Sequence, residues 1–391
     1  METPGRIEPC LFDDGIPQSL ADLALTLQAE ALKLGGGLPP AAAAELADMV
    51  RVMNCYYSNL IEGHNTRPKD IESALLSNLP ETRPLVQEAL AHIAVQREID
   101  GAAEAGRLPS PTSVDYVQWL HRAFYDRMPD LYRFAEEGDR RIEIVPGQFR
   151  HLEQHDVTVG RHQPPSSNRV TAFMDHFAWR YKAAETSPAQ RIIAIASAHH
   201  RLNYIHPFVD GNGRVSRLMS HAMAQKAGVG GGGLWSISRG LARGLKDRGE
   251  YMQMMNLADT PRQGDRDGRG NLSLSALTTF CEWFLSLALD QVRFMARLFE
   301  IEGLEGRYRQ LVRDLDIDKR APEVVSWVLR HGQLERSDAA LALKTSERTA
   351  RNTISAMIES GILRSETQKR PLRVAFPLDF RERLFPNLFG E

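Results

Sequence analysis

What the chain lacks narrows its chemistry first. Of 391 residues only 3 are cysteines, and Cys10, Cys55 and Cys281 stand far apart and outside any CxxC or Cys/His spacing. That pattern argues against both a zinc site and a disulfide framework, and Cys55 and Cys281 are expected as small core residues. Neither sign of charge dominates: 48 Lys plus Arg against 50 Asp plus Glu leave a net charge of -2, so contact with nucleic acid or anionic lipid has to be local. Long apolar runs are missing too. Phe280 to Leu289 is interrupted by Cys281, Glu282 and Ser286 and falls well short of the roughly 18 to 20 residues of a membrane span. Met1 to Pro9 carries acidic residues and proline in place of a basic stretch followed by an apolar one, which does not match a secretory signal. The expectation is a cytoplasmic protein without membrane contact.

What is present is mostly helical pattern. Apolar residues recur at three- and four-residue spacing over Gln18 to Lys33 and Pro40 to Glu62, with Gly35 to Gly37 between them. Further helices are expected over 69–76, 86–104, 113–127, 169–184, 188–205, 213–226 and 274–302. The exception is 141–165, where Ile142 to Val145 and Asp156 to Val159 alternate in β fashion between turn signals, so a β-hairpin is expected there. After about residue 320 the order is helix (322–331), short helix (337–343), helix (346–359) and two strands (362–364 and 372–376) around a basic turn with Lys369 and Arg370. That order predicts a winged helix-turn-helix.

The densest chemistry is His206-Pro-Phe-Val-Asp-Gly-Asn-Gly-Arg214, with Arg217 three residues on, set between two expected helices. Gly211 and Gly213 around Asn212 let the backbone take positive φ and present N–H groups where a helix starts, which makes an anion site suited to phosphate. Arg214 and Arg217 share the first-turn face and can fork onto phosphate oxygens. Asp210 is the nearby carboxylate to hold a bridging Mg²⁺. His206 has a side chain able to take a hydroxyl proton near neutrality. Together these parts predict transfer of a phosphate-linked group to a hydroxyl. Separately, Ser58-Asn-Leu-Ile-Glu62-Gly63 ends a helix with an acidic side chain on the unfavourable side of the helix dipole. A cation elsewhere, Arg217 being a candidate, would explain it.

His206 to Arg217 resembles without a gap the motif HPFx(D/E)GN(G/K)RxxR of the Fic family, which moves AMP from ATP to protein hydroxyls; Ser216 stands where many relatives have glycine. The resemblance implies a mainly α protein: a Fic-type helical core with a β-hairpin flap, plus the C-terminal winged helix. It implies His206 as general base, Asp210 as Mg²⁺ ligand, and Gly211, Asn212 and Gly213 as phosphate cradle. Arg214 and Arg217 would be the β- and γ-phosphate contacts, and Phe208 a buried anchor. Ser58 to Gly63 is similar to the family's (S/T)xxxE(G/N) inhibitory motif, so Glu62 would pair with Arg217 and block the productive γ-phosphate position; in some relatives the same glutamate positions a water that removes AMP again. His199 and His200 are expected as helix-packing residues. The hairpin, with Val157, Thr158, Val159 and Gly160, is similar to the flap that holds a target segment by main-chain pairing. Tyr251 falls where relatives carry tyrosines near the adenine, with Met252 in place of the second.

The expected organisation is a helical segment with the inhibitory helix (1–110), a catalytic core (111–300), a helical linker (301–320) and the winged helix (321–391). The expected activity is that of a protein adenylyltransferase using ATP and Mg²⁺ on Ser, Thr or Tyr of a target protein or of itself. Alternatives are a de-AMPylase or bifunctional enzyme, a different donor such as phosphocholine or UMP, and a nucleotide-sensing DNA-binding regulator. Residues 321–376 hold nine basic and six acidic side chains, a mild bias that leaves DNA, protein or homodimer contact open for this domain.

Overall fold

A computed structural model describes residues 3–12, 14–77, 81–137, 140–184, 186–365, 367 and 370–390. The chain divides into two compact units, Met1–Leu32 with Asn54–Val292, and Lys33–Met53 with Arg293–Glu391.

The first unit is built around the helix most apolar on all sides. In chain order its helices are α1 (Gln18–Lys33), the end of α2 (Pro40–Ile61), α3 (Pro68–Leu76), α4 (Pro84–Glu104) and α5 (Val114–Tyr125), then α6 (Val170–Ala183), α7 (Pro188–Ile205), α8 (Asn212–Lys226), α9 (Ile237–Arg243), α10 (Glu250–Ala258) and most of α11 (Leu274–Phe299). Ser187 caps α7 by accepting from the Gln190 N–H, with Pro188 in the first turn. Ile192, Ile193, Ile195, Ala196, Leu202 and Ile205 bury different sides of α7, as a central helix requires. It packs on α6 and α8, while α4 and α5 flank α8. Cys55 and Cys281 are buried free thiols in this packing. Among the described residues no helix is long and apolar enough to cross a membrane.

The hairpin of this unit lies upstream of the expected place. Strands β1 (Phe134–Glu137) and β2 (Arg140–Glu143) pair antiparallel, with Phe134 opposite Glu143 and Glu136 opposite Arg141. Ile142 is in β2, but Ile144 and Val145 run on past it, and Asp156 to Gly160 forms no strand: Val159 makes only an isolated bridge to His162. The charged alternation of 134–143 hid a strand pair whose cross-strand contacts are Glu136 against Arg141 and Arg141 stacked 3.9 Å over the Phe134 ring.

In the second unit, α12 (Ile301–Asp314) packs on α13 (Ala321–His331), followed by α14 (Ala339–Ala342), α15 (Glu347–Glu359), β3 (Leu363–Arg364), β4 (Arg373–Val374) and α16 (Arg381–Leu384). Strands β3 and β4 are antiparallel, and Leu334 bridges Leu372 beside them. Ser346 caps α15, which buries Ala350, Thr353, Ile354 and Met357 and exposes Arg348, Arg351 and Asn352. Helices and hairpin resemble a winged-helix motif; Lys369 lies outside the described residues.

Candidate active site

The end of α7 and the start of α8 make the site. The helix stops at His206, which takes a left-handed conformation (φ 50°, ψ 60°) and donates its N–H to Leu202. That conformation is uncommon for a residue with a side chain. Five residues on, Gly211 starts α8 at φ 80°, and a methyl group there would lie 2.9 Å from the Tyr125 ring, so glycine is required twice over. Between them the Asn212 side chain closes the loop on itself, accepting from the Phe208 N–H and donating to the Phe208 carbonyl, both at 2.9 Å. Phe208 is fully buried and stacks on His121 at 3.9 Å.

Helix α5 holds this loop from one side. Tyr125 donates its hydroxyl to Asp210 Oδ2 at 2.9 Å. His121 Nδ1 accepts from the Gly147 N–H at 2.8 Å, which leaves Nε2 as the protonated nitrogen facing the Asp210 carbonyl at 3.3 Å. The Asp210 carboxyl is pushed up by desolvation but brought below its ordinary value by Arg214, the Gly211 N–H and Tyr125. His206 is half-buried, and desolvation, then the Arg150 charge, lowers its imidazole to about 4, so it is neutral at pH 7.

Each motif arginine already has a carboxylate. Arg217 is 1% exposed and donates from Nη2 to Glu62 Oε1 at 2.5 Å, from Nε to Ser58 Oγ at 2.9 Å and from Nη2 to the Ser58 carbonyl at 3.3 Å. Glu62 stands at the end of α2, where Gly63 (φ 82°) and the His64 N–H bonded back to Asn59 close the helix in a Schellman arrangement. Burial pushes the Glu62 carboxyl up, but Arg217 and Arg214 outweigh it and hold it below the ordinary range. Arg214 pairs with Glu88 Oε1 of α4 at 3.0 Å, and Glu88 Oε2 lies 3.0 Å from His64 Nδ1. Arg214 Nε is buried with no hydrogen-bond partner among the described residues. A methyl group at Gly213 would overlap the Glu62 carboxylate oxygen and lie 2.9 Å from Arg217 Nη1. The loop is thus a glycine-lined cradle with unused N–H capacity, one carboxylate on its rim and two guanidinium groups behind it.

With this geometry in view, residues 111–224 match the Fic/DOC family. That stretch is similar to a Fic/DOC domain. Over 117 residues the chain is 37% identical to the "Protein adenylyltransferase Fic" of Drosophila ananassae, covering 29% of this chain and 23% of that protein, and over 85 residues it is 38% identical to the Drosophila virilis protein of the same name. It therefore spans only about a fifth of the length of these curated relatives. A Fic family protein from Desulfovibrio desulfuricans G20 shares the fold over 95% of this chain and 99% of its own, with 15% identity and a TM-score of 0.51. A Fic domain containing signaling protein from Bacteroides thetaiotaomicron covers 72% of this chain and 97% of its own, at 18% identity and a TM-score of 0.52.

Within residues 111–224 and their flanks, the structure brings His206, Asp210, Gly211, Asn212, Gly213, Arg214 and Arg217 into one turn and sets Ser58 and Glu62 against Arg217. His199 and His200 are fully buried. Tyr251 is buried as well, its hydroxyl 2.9 Å from His199 Nε2 and its ring facing Trp283. Val157 to Gly160 lie in a loop outside the hairpin. Beside the motif residue Val209, β2 and the following chain line a cavity of about 630 Å³ with Phe149, His151 and His155. Sequence reasoning placed Gly147 and Arg150 only in the flap-like segment, and it missed Glu88, His121 and Tyr125, which lie in helices without a local signature.

Proposed function

We propose that this protein transfers AMP from ATP to a hydroxyl side chain of a protein, and that Glu62 restrains the reaction. The observation that carries this is the loop between α7 and α8: a neutral His206 at one end, the Gly211–Gly213 cradle at the other, and Arg214 and Arg217 behind it. An imidazole nitrogen of His206 takes the proton of the incoming alcohol, whose oxygen forms the new bond to the α-phosphorus. The bond to the bridging oxygen breaks, and pyrophosphate leaves with its charge held by the cradle N–H groups and the two arginines.

The residues fit ATP with a divalent cation: Gly211 and Gly213 bring no side chain to the cradle, a Cβ at Gly213 would crowd Arg217, and the orphaned Arg214 Nε is a donor in search of an acceptor. Among the described residues no cluster of three or more His, Cys, Asp or Glu side chains is arranged for a metal, so Asp210 would hold Mg²⁺ together with phosphate oxygens and water. When bound, the ion neutralises charge on the phosphates. Glu62 occupies the Arg217 donors that a γ-phosphate would use, which is the restraint. Acceptor classes are Ser, Thr and Tyr, on a target or on the protein itself, and the cavity beside β2 and Val209 is where a target segment would lie.

The test is mass spectrometry of purified protein and of lysate incubated with ATP and Mg²⁺. The Glu62→Gly protein is expected to add an AMP mass to hydroxyl residues, and the Glu62→Gly/His206→Ala protein to add none. A different transferred mass, or no modification by the Glu62→Gly protein, refutes the assignment. The exposed Arg348, Arg351 and Asn352 of α15 favour a second reading for the C-terminal unit, contact with duplex DNA.

A further inference from the structure

We propose that Arg150 is a positioning residue for the transfer reaction, fixing the backbone that aims His206. It rests on the reading of His206 as the base, and it concerns a side chain that lies outside the motif by more than fifty residues of sequence.

A helix end leaves its last carbonyls without partners, and the site lies directly beyond the end of α7. Arg150 takes the last of these oxygens and the two carbonyls that follow it. Its Nη2 donates to the Ile205 carbonyl at 3.0 Å, its Nε to the His206 carbonyl at 2.7 Å, and its own backbone N–H to the Pro207 carbonyl at 2.9 Å. The His206 peptide is therefore held on both sides and at its own oxygen while the residue sits at positive φ, a conformation that needs surrounding structure to persist. The remaining donors tie the clamp down. Nη1 reaches Ser167 Oγ at 3.0 Å and lies 3.5 Å from Asp156 Oδ1, and Nη2 also donates to the Pro165 carbonyl. Asp156 in turn accepts from the Ser167 N–H at 2.7 Å.

Two features separate positioning from ordinary packing. Arg150 is 1% exposed, and while Asp156 Oδ1 lies 3.5 Å away, its shorter bonds run to carbonyls of the His206 turn, where it also meets the negative end of the α7 dipole. A planar fork is also what this task demands. Nε and Nη2 span neighbouring carbonyls at fixed separation, which the single ammonium of lysine cannot do. The bonds of Arg150 described above run to the His206 turn and to residues 156–167, so its loss should strike turnover and spare nucleotide affinity.

The experiment places Arg150→Met and Arg150→Lys in the Glu62→Gly protein. It measures kcat and KM for AMP transfer, ATP affinity by calorimetry and the unfolding midpoint, with His206→Ala in parallel. Arg150→Met is expected to lower kcat by roughly 10- to 100-fold, the scale of a misplaced reacting group, with ATP affinity within about threefold of the parent. Arg150→Lys should recover part of kcat. If Arg150→Met does not fold, Arg150→Lys decides alone: a fall in kcat at retained ATP affinity supports the clamp. Unchanged kcat in a folded variant, or ATP affinity falling in step with kcat, overturns it. The His206 reading fails separately, if His206→Ala transfers AMP like its parent; a dead His206→Ala beside a fully active Arg150→Lys leaves that reading standing and removes this one.

Discussion

Gly213 gives the sharpest handle on the restraint, because its backbone is helical and only the missing side chain explains it. A methyl group built at Gly213 overlaps Glu62 Oε1 and stands 3.3 Å from Glu62 Cδ. Gly213→Ala therefore drives the carboxylate back by roughly 1 Å before ordinary van der Waals contact is restored. The Arg217 Nη2 to Glu62 Oε1 distance, 2.5 Å at rest, then opens beyond good hydrogen-bond length. A hydrogen bond between charged groups contributes about 1.5 to 3 kcal/mol. The Glu62 side chain is 33% exposed, so solvent screening cuts that to about 1 kcal/mol, which corresponds to about a fivefold rise in the fraction of unrestrained protein. Alanine keeps the cradle N–H, but the same methyl group lies 2.9 Å from Arg217 Nη1, so its direct effect on the reaction has to be read in a background without Glu62. The assay is incorporation of label from α-labelled ATP by four proteins: parent, Gly213→Ala, Glu62→Gly and the double variant. Gly213→Ala should raise transfer by about fivefold in the parent and give no rise once Glu62 is gone. Equal loss in both backgrounds would show that the methyl group damages the cradle, and no change in either would show that the contact does not restrain Arg217; either refutes the reasoning.

His64 anchors the segment that carries Glu62, through Glu88 at 3.0 Å. His64→Ala is expected to raise automodification by roughly two- to fivefold, the scale of one partly exposed hydrogen bond, and less than Glu62→Gly; a decrease in labelling would contradict the anchor. The charged form of His206 is disfavoured first by desolvation, then by Arg150 and His162, while Asp210 and Glu62 favour it, with a net value of about 4. A base must be neutral, so kcat/KM of the Glu62→Gly protein should stay level from about pH 8 down to about pH 5 and fall only below that. Removing Glu62 takes away a charge that favours the imidazolium, which moves the limb further down. A limb centred near the ordinary histidine value, about 6.5, would contradict the burial and the Arg150 contact.

Most of the helices and the whole of the motif turn were legible because their signals are local. Ser187-Pro188 starts α7, Gly211 starts α8, and the periodicity of 188–205 marks a helix buried on all sides. The Glu62 to Arg217 contact was legible for a different reason: an acidic side chain at a helix C-terminus called for a cation, and Ser58 to Gly63 resembles an inhibitory motif whose glutamate pairs with the second motif arginine. Glu88, His121 and Tyr125 were not, and Arg150 was legible only as part of the flap-like segment, since a glutamate in mid-helix or an arginine in a loop carries no sign of which distant oxygen or guanidinium it will meet. The hairpin was misplaced because turn residues at 146–147 and 160 outweighed the opposed charges Glu136 and Arg141, whose pairing becomes visible only once the register is known.

The two carboxylate–arginine pairs are unequal, and the inequality decides which of them yields to a nucleotide. At rest the cradle is nearly neutral: Arg214 faces Glu88, Arg217 faces Glu62, and a triphosphate brings negative charge that cannot share these donors with both acids. Glu88 is 15% exposed, sits inside α4 and is gripped by His64 on its second oxygen, so moving it means moving a helix. Glu62 is twice as exposed, follows the last turn of α2 and precedes a glycine at positive φ, so it can leave by rotation of a short segment while water takes over its charge. On the proposed reading, Arg217 is accordingly the donor that would be exchanged between protein and substrate. Arg214, fixed by Glu88 with its Nε still vacant, remains in place through the exchange. A Glu88→Gln protein should then bind ATP more weakly with Glu62 either present or absent, whereas the effect of Glu62→Gly should vanish when Arg217 is replaced by methionine; a Glu88→Gln protein that behaves like Glu62→Gly would show that the two acids share one role.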